Sequence, residues 1–233
     1  MNESLSLTAG LLGDPGRAAI LLRLMGGMAL PAGELAATAN VAPQTASEHL
    51  AKLVAGRLLS VERQGRHRYY RLASAEVADA VESLLVLTAR PHPAHQSASA
   101  NRPAIGTLEH ARTCYGHLAG WLGVRIADIL QQRGFIKASG AGDFAVTPSG
   151  RDWFASLHIT VPPPAPSATH KKLARRCLDW TERRHHLAGV LGCALYKHFR
   201  EVGWLVPVRD TRIVRVTVEG RIRLWELLRI PVG

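Results

Sequence analysis

Sulfur is scarce in this chain of 233 residues. Its three cysteines, Cys114, Cys177 and Cys193, are too few and too scattered for a disulfide framework. Long apolar runs are missing too. The best candidate, residues 18–30, is cut by Arg23, and nothing approaches the ~18 unbroken apolar residues of a membrane span. The opening Met1-Asn2-Glu3 lacks the basic start and apolar core of a secretory signal. A soluble cytoplasmic protein with no membrane partner is the expectation. There is no Ser-His-Asp order, no glycine loop shaped for phosphate and no paired-carboxylate constellation. These absences argue against an enzyme, and a thiol-dependent one is the version left standing.

Acidic residues are in short supply as well. Eighteen Asp and Glu face 29 Lys and Arg, for a net charge of +11 and a pI near 10.4. Such an excess favours a polyanionic partner, most often nucleic acid. It is also uneven: residues 170–233 hold 14 basic and 6 acidic residues, whereas residues 1–169 hold 15 and 12. Hydrophobic residues at 47% and charged residues at 20% describe a globular chain.

The apolar spacing predicts helix over residues 5–25, broken at Gly13-Asp14-Pro15, where Asp14 is a good N-cap and Pro15 a good first helical residue. A short helix follows over 31–39, a turn at Asn40-Val41-Ala42, and a helix over 43–55 with Ala46, Leu50, Leu53 and Val54 inward. Strands over 58–63 and 67–72 flank the turn Gln64-Gly65-Arg66. Ser74 caps a helix over 75–89, and residues 91–103, rich in Pro, Ser, Ala and His, read as a linker.

Beyond the linker the chain repeats. His117-Leu118-Ala119-Gly120-Trp121-Leu122-Gly123 matches His186-Leu187-Ala188-Gly189-Val190-Leu191-Gly192, and Gly134-Phe135-Ile136 matches Gly203-Trp204-Leu205. With a one-residue slip, Val146-Thr147-Pro148-Ser149-Gly150 meets Val216-Thr217-Val218-Glu219-Gly220. Each copy reads as helix, helix, hairpin, short helix, with the proline-rich spacer 162–166 between them. The expected architecture is mainly α with small β-hairpins, an α+β chain. A winged helix-turn-helix domain spans 1–90, and two duplicated helix-hairpin units span about 104–160 and 170–230 within 104–233.

Helix, helix, turn, helix and a basic hairpin make the order of a winged helix-turn-helix. A helix fits the major groove, and its outer face reaches base edges while its inner face packs. With Ala46, Leu50 and Leu53 inward, Gln44, Thr45, Ser47, Glu48, His49 and Lys52 point outward. Gln suits adenine, Ser and Thr suit base edges or phosphates, and Lys52 suits a phosphate. The hairpin carries Arg63, Arg66, His67 and Arg68, suited to the minor groove or flanking phosphates. Tyr69 and Tyr70 face opposite sides, one of them toward the core.

Three segments here resemble the ArsR/SmtB family of bacterial transcriptional repressors. The stretch from Leu12 to Leu21 is similar to that family's opening motif, the stretch from Val41 to Leu53 to its recognition helix, and the stretch from Gly65 to Leu72 to its wing. The resemblance covers about residues 5–90. It implies a homodimer, paired through the first helix and the helix after the wing, on a palindromic double-stranded DNA operator, with an effector that is not identified. The basic repeat region resembles an extension of longer relatives.

Many members of that family bind metal through a cysteine pair ahead of the recognition helix. The matching stretch, Glu34-Leu35-Ala36-Ala37-Thr38-Ala39, has none. The other common site uses Asp and His after the wing, where this chain has Glu76, Asp79 and Glu82 but no His before Pro91. A different set lies in the repeats. Cys114 and His117 fall on one face of an expected helix, and Cys177, His185 and His186 sit near the equivalent place in the second copy. Cys and His are transition-metal ligands, and two helices would join Cys114, His117, Cys177 and His185. The competing readings are small core thiols with surface histidines, or a redox thiol at Cys177 beside Arg175-Arg176. Trp121, Trp153, Trp180, Trp204 and Trp225 read as core of the repeats or as walls of an organic-ligand pocket. Arg183, Arg184, Arg212, Arg215, Arg221 and Arg223 offer an anion or DNA surface. The leading expectation is an effector-responsive repressor, and the alternative is a nonspecific architectural DNA binder using its basic end.

Overall fold

The computed structural model describes residues 2–88, 103–140, 142–162 and 173–232. Nearly all of the linker and of the proline-rich spacer lie outside the described residues. The chain divides into two compact units, Met1–Val81 and Glu82–Gly233. Among the described residues no helix is long and apolar enough to cross a membrane. Helices and small antiparallel sheets make it an α+β protein.

The first unit opens with α1 (Asn2–Leu12) and α2 (Pro15–Leu24). The break between them is chemical. The Asp14 carboxylate accepts the Arg17 backbone N–H at 2.8 Å, and Pro15 takes the first helical position, where no N–H is needed. Next come β1 (Leu30–Pro31), α3 (Ala32–Ala39), α4 (Pro43–Ala55), β2 (Leu59–Gln64) and β3 (His67–Leu72). Asn40 ends α3 in the left-handed region at φ 52, a conformation Asn tolerates better than most residues. The two-residue β1 was not foreseen. It pairs Leu30 with Tyr70 and Pro31 with Tyr69, giving the sheet order β1-β3-β2. Ile20, Leu21, Leu24, Leu35, Ala46, Leu50, Leu53 and Leu72 form the core, with Tyr70 buried and Tyr69 half-buried. Helix α5 (Ala75–Thr88) begins in this unit and carries Glu82, the first residue of the second.

The second unit holds two copies of one pattern. The first runs β4 (Arg112–Cys114), β5 (His117–Ala119), α6 (Gly120–Gln132), β6 (Ile136–Ser139), β7 (Asp143–Val146) and α7 (Pro148–Ser156). The second runs β8 (Arg175–Leu178), β9 (His185–Ala188), α8 (Gly189–Glu201), β10 (Leu205–Pro207), β11 (Val214–Val216) and α9 (Val218–Leu228). Each copy is therefore hairpin, helix, hairpin, helix, and the expected first helix is a hairpin instead. Gly120 and Gly189, at φ +80 and +78, turn strand abruptly into helix. Their positive φ is what separates His117-Leu118-Ala119 from the helix it adjoins.

The copies are interlaced. Strands β6 and β7 of the first pair with β8 and β9 of the second in a four-stranded sheet, through Asp143↔Arg175. The reciprocal junction is a bridge, Arg112↔Ile213, that brings β11 beside β4. The backbone bonds match across the two junctions. Phe144 N–H donates to Ala174 O and Arg176 N–H to Gly142 O, both at 2.9 Å, as Val214 N–H donates to Ala111 O at 2.9 Å and Thr113 N–H to Arg212 O at 2.8 Å. One hydrophobic core runs through both copies, from Ala111 to Val232.

The repeated sequence motifs now have physical roles. A Cβ on Gly123 would stand 2.5 Å from Leu118 O and 3.6 Å from the His186 Cβ, and one on Gly192 would stand 2.3 Å from Leu187 O and 3.4 Å from the His117 Cβ. The helix of each copy thus presses on the histidine of the other. Thr147 and Thr217 cap α7 and α9 by accepting from Gly150 and Gly220 N–H at 3.0 and 2.9 Å. Trp153 stacks on Phe135 and Trp204 on Phe199, so both serve packing, while Trp225 stands half-exposed.

Candidate nucleic-acid interface and a buried Cys/His cluster

Helix α4 is amphipathic. Ala46, Leu50 and Leu53 are wholly buried, and Gln44, Ser47, Glu48 and Lys52 are exposed on the other side. Ser47 Oγ donates to Pro43 O at 2.9 Å, which leaves its lone pairs free to accept. Thr45 is half-buried. His49 departs from the expected outward set. It turns toward α2, with Nδ1 3.5 Å from Arg17 Nη1 and Nε2 3.7 Å from Asp14 Oδ1. Arg17 also donates to Leu11 O at 2.8 Å and Gly10 O at 2.9 Å. Asp14, Arg17 and His49 therefore fix α1, α2 and α4 to one another, and this small network draws His49 off the outer face. The N-cap bond from Arg17, and the charges of Arg17 and His49, hold the Asp14 carboxyl below its ordinary range.

The hairpin of β2 and β3 is the wing. Gly65, at φ +60, makes its turn, and Arg63, Arg66, His67 and Arg68 are exposed. Arg63 and Arg68 are direct cross-strand partners. Like charges in that register repel. Three of the arginines toward the C-terminal end are tied up in ion pairs. Arg184 pairs with Asp128 at 2.6 Å, Arg212 with Glu82 at 2.7 Å, and Arg223 with Glu219 and Glu226 at 2.7 and 3.0 Å. Glu82 is buried in that pairing.

In the second unit Cys114 and His117 face each other as cross-strand partners in the β4–β5 hairpin, and so do Cys177 and His186 in β8–β9. They are not neighbours on helices as expected. The two hairpins bring Cys114, His117, Cys177 and His186 together, with one Sγ or ring nitrogen from each lying within 4.8 Å of all the others. His117 Nε2 and His186 Nε2 are 3.0 Å apart. All four residues are buried. His186, and not His185, is the partner of Cys177. His185 points the other way, with Nδ1 3.2 Å from Arg176 Nη2, because adjacent strand residues face opposite sides.

The cluster has an organiser that sequence reasoning missed. Asp179 is fully buried in the β8–β9 loop. It accepts Gly120 N–H at 2.7 Å, Thr181 Oγ1–H at 2.6 Å, and the N–H groups of Thr181 and Glu182 at 3.0 and 3.1 Å. It pairs with buried Arg112 at 2.9 Å and stands 3.4 Å from His186 Nδ1. Burial works against its charge, but His186, Arg112 and Thr181 prevail and hold the carboxyl well below its usual range. Burial likewise opposes charge on His186, yet the Cys177 thiolate and Asp179 raise it to about 9. The hydrogen bond from Cys114, with the charge of His186, pushes the Cys177 thiol well down despite its burial, and the same bond with burial pushes Cys114 well up. Nothing in the spacing of Asp179 announces this role, because the first copy replaces its loop with the two residues Tyr115-Gly116.

A helix-turn-helix domain matches residues 12–62, the stretch from the end of α1 into β2. Over 232 residues the chain is 42% identical to the uncharacterized HTH-type transcriptional regulator YdfF of Bacillus subtilis, covering all of both sequences. NolR from Sinorhizobium fredii is a solved structure similar at 26% identity over 37% of this chain and 85% of its own, with a TM-score of 0.34. HlyU from Vibrio cholerae is similar at 26% identity over 37% and 92%, also with a TM-score of 0.34. The full-length match, together with a helix-turn-helix whose wing and exposed α4 face are in place, establishes that this chain belongs to the HTH-type transcriptional regulators and is not an enzyme.

Proposed function

We propose that the chain is an operator-specific repressor of the ArsR/SmtB type, active as a homodimer in the cytoplasm, with the second unit as its effector module. One observation carries the reading: α4 presents Gln44, Ser47 and Lys52 on a face whose reverse is locked into the core. Gln44 and Ser47, with half-buried Thr45, read base edges. Lys52, Arg63, Arg66 and Arg68 grip phosphates or the minor groove. His49 positions α4 and does not read. Leu5 and Leu7 on α1 and Leu87 on α5 are more than 70% exposed, which suits helices that pair with a second copy. The division of labour is 1–90 for DNA, 91–103 as linker and 104–233 for the effector. An effector switches the dimer only through unequal affinity for two geometries, one matching successive major grooves and one not.

The test is fluorescence anisotropy on the protein's own upstream DNA and on a shuffled duplex, at ~0.15 M salt. The reading expects the upstream DNA to bind tighter by ~10³-fold or more. Equal, weak and steeply salt-dependent binding to both would replace it with charge-driven architectural binding.

A further inference from the structure

We propose that Cys114, His117, Cys177 and His186 form a tetrahedral site for a divalent metal ion of the Zn(II) class, one per chain, at the junction of the two copies. Each copy supplies one thiol and one imidazole from a single hairpin, as cross-strand partners. The four donor atoms already lie within 4.8 Å of one another. Tetrahedral zinc, with Zn–S of about 2.3 Å and Zn–N of about 2.0–2.1 Å, holds its donors about 3.3–3.8 Å apart, so the imidazole nitrogens, now at 3.0 Å, part slightly and no donor pair closes by more than about 1.5 Å. Two sulfurs and two imidazole nitrogens are a zinc set by softness and by geometry.

Burial sets the kind of site. Cys114, His117, Cys177 and His186 are 1%, 3%, 3% and 0% exposed. Four buried protein ligands leave no open position, which marks a site that holds structure together and not one that activates water. The outer contacts fit as well. Asp179 stands 3.4 Å from His186 Nδ1, the ring nitrogen turned away from His117, and is itself fixed by Gly120, Thr181 and Arg112. A carboxylate behind a ligating histidine fixes its tautomer and raises its basicity. A Cys114–Cys177 disulfide is the competing fate of the thiols. It would use two of the four groups and account for neither the facing imidazoles nor Asp179.

The full chain, stripped with chelator under reducing conditions, is titrated with Co(II) and then Zn(II). One equivalent of Co(II) per chain is expected, with the ligand-field and thiolate charge-transfer bands of a tetrahedral S2N2 site, displaced by one equivalent of Zn(II). Cys193→Ser and His185→Ala keep the bands. Cys114→Ser and Cys177→Ser lose them. Asp179→Asn retains the spectrum but binds 10–100-fold more weakly. Should the cysteine variants fail to fold, the wild-type stoichiometry decides. A folded wild-type chain that takes up less than a tenth of an equivalent of Co(II) overturns the proposal. So does a Cys114–Cys177 disulfide, shown by peptide mass, that persists in the folded chain under those reducing conditions.

Discussion

On the proposed function, side chains that touch solvent on α4 and the wing should divide by what they do to binding. Gln44 is an exposed amide able to make a bidentate contact, so Gln44→Ala should cost about 1–3 kcal/mol on the operator and nothing on random DNA. Arg66 sits in the wing's turn, so Arg66→Ala should weaken operator and random DNA alike and lower the salt slope by about 1. Anisotropy across a salt series on both duplexes separates the two effects. Equal losses from both substitutions on both duplexes would remove Gln44 from the readers. At this scale the exposure of Gln44, Ser47 and Lys52 is legible in the sequence, because helical periodicity alone turns them away from Leu50 and Leu53. It misplaced His49, since periodicity is blind to Asp14 and Arg17 on another helix.

At the scale of elements, the glycines of the repeated motif are the sharpest test of how each hairpin packs on the helix that follows it. Gly192 faces Leu187 O, where a Cβ would stand at 2.3 Å, and Gly123 is its counterpart at 2.5 Å from Leu118 O. Backbone cannot yield as a flexible side chain does, so Gly123→Ala and Gly192→Ala should each destabilise the second unit by about 1–3 kcal/mol, read as a fall in denaturation midpoint. A change within ~0.5 kcal/mol, as for ordinary surface substitutions, would show that α6 and α8 do not pack this closely on β5 and β9. The helices, wing and β3 were legible in the sequence because long amphipathic segments and alternating strands carry a period. The hairpins β4–β5 and β8–β9 were not, for a physical reason. A three-residue strand such as His117-Leu118-Ala119 has no period of its own, and it runs without interruption into the apolar pattern of α6. The cue was Gly120, whose left-handed backbone breaks the pattern without breaking its hydrophobicity. Read as helix, the same segment puts Cys114 and His117 a turn apart instead of opposite each other.

For the second unit as a whole, charge is buried as deeply as hydrocarbon. Arg112 is wholly buried. It pairs with Asp179 at 2.9 Å, stands 3.8 Å from Glu82, and lies 4.9 Å from the centre of the Trp180 ring. Arg112→Ala leaves two carboxylates in the core and should cost about 3–5 kcal/mol in chemical denaturation. Arg112→Met together with Asp179→Asn, which removes both charges of the 2.9 Å pair and leaves Glu82 to Arg212, should recover part of that loss. If the single substitution is harmless, the network is not a structural element of the core. The reciprocal strand exchange has a consequence for how the protein is made. Residues 104–160 leave the ribosome with β6 and β7 complete, yet β7 meets its neighbour β8 only later, and Arg112 of β4 meets its bridge partner Ile213 later still. The core that the two copies share closes only once residues of the second are present. A chain cut short before β8 should therefore display apolar surface that the finished second unit buries.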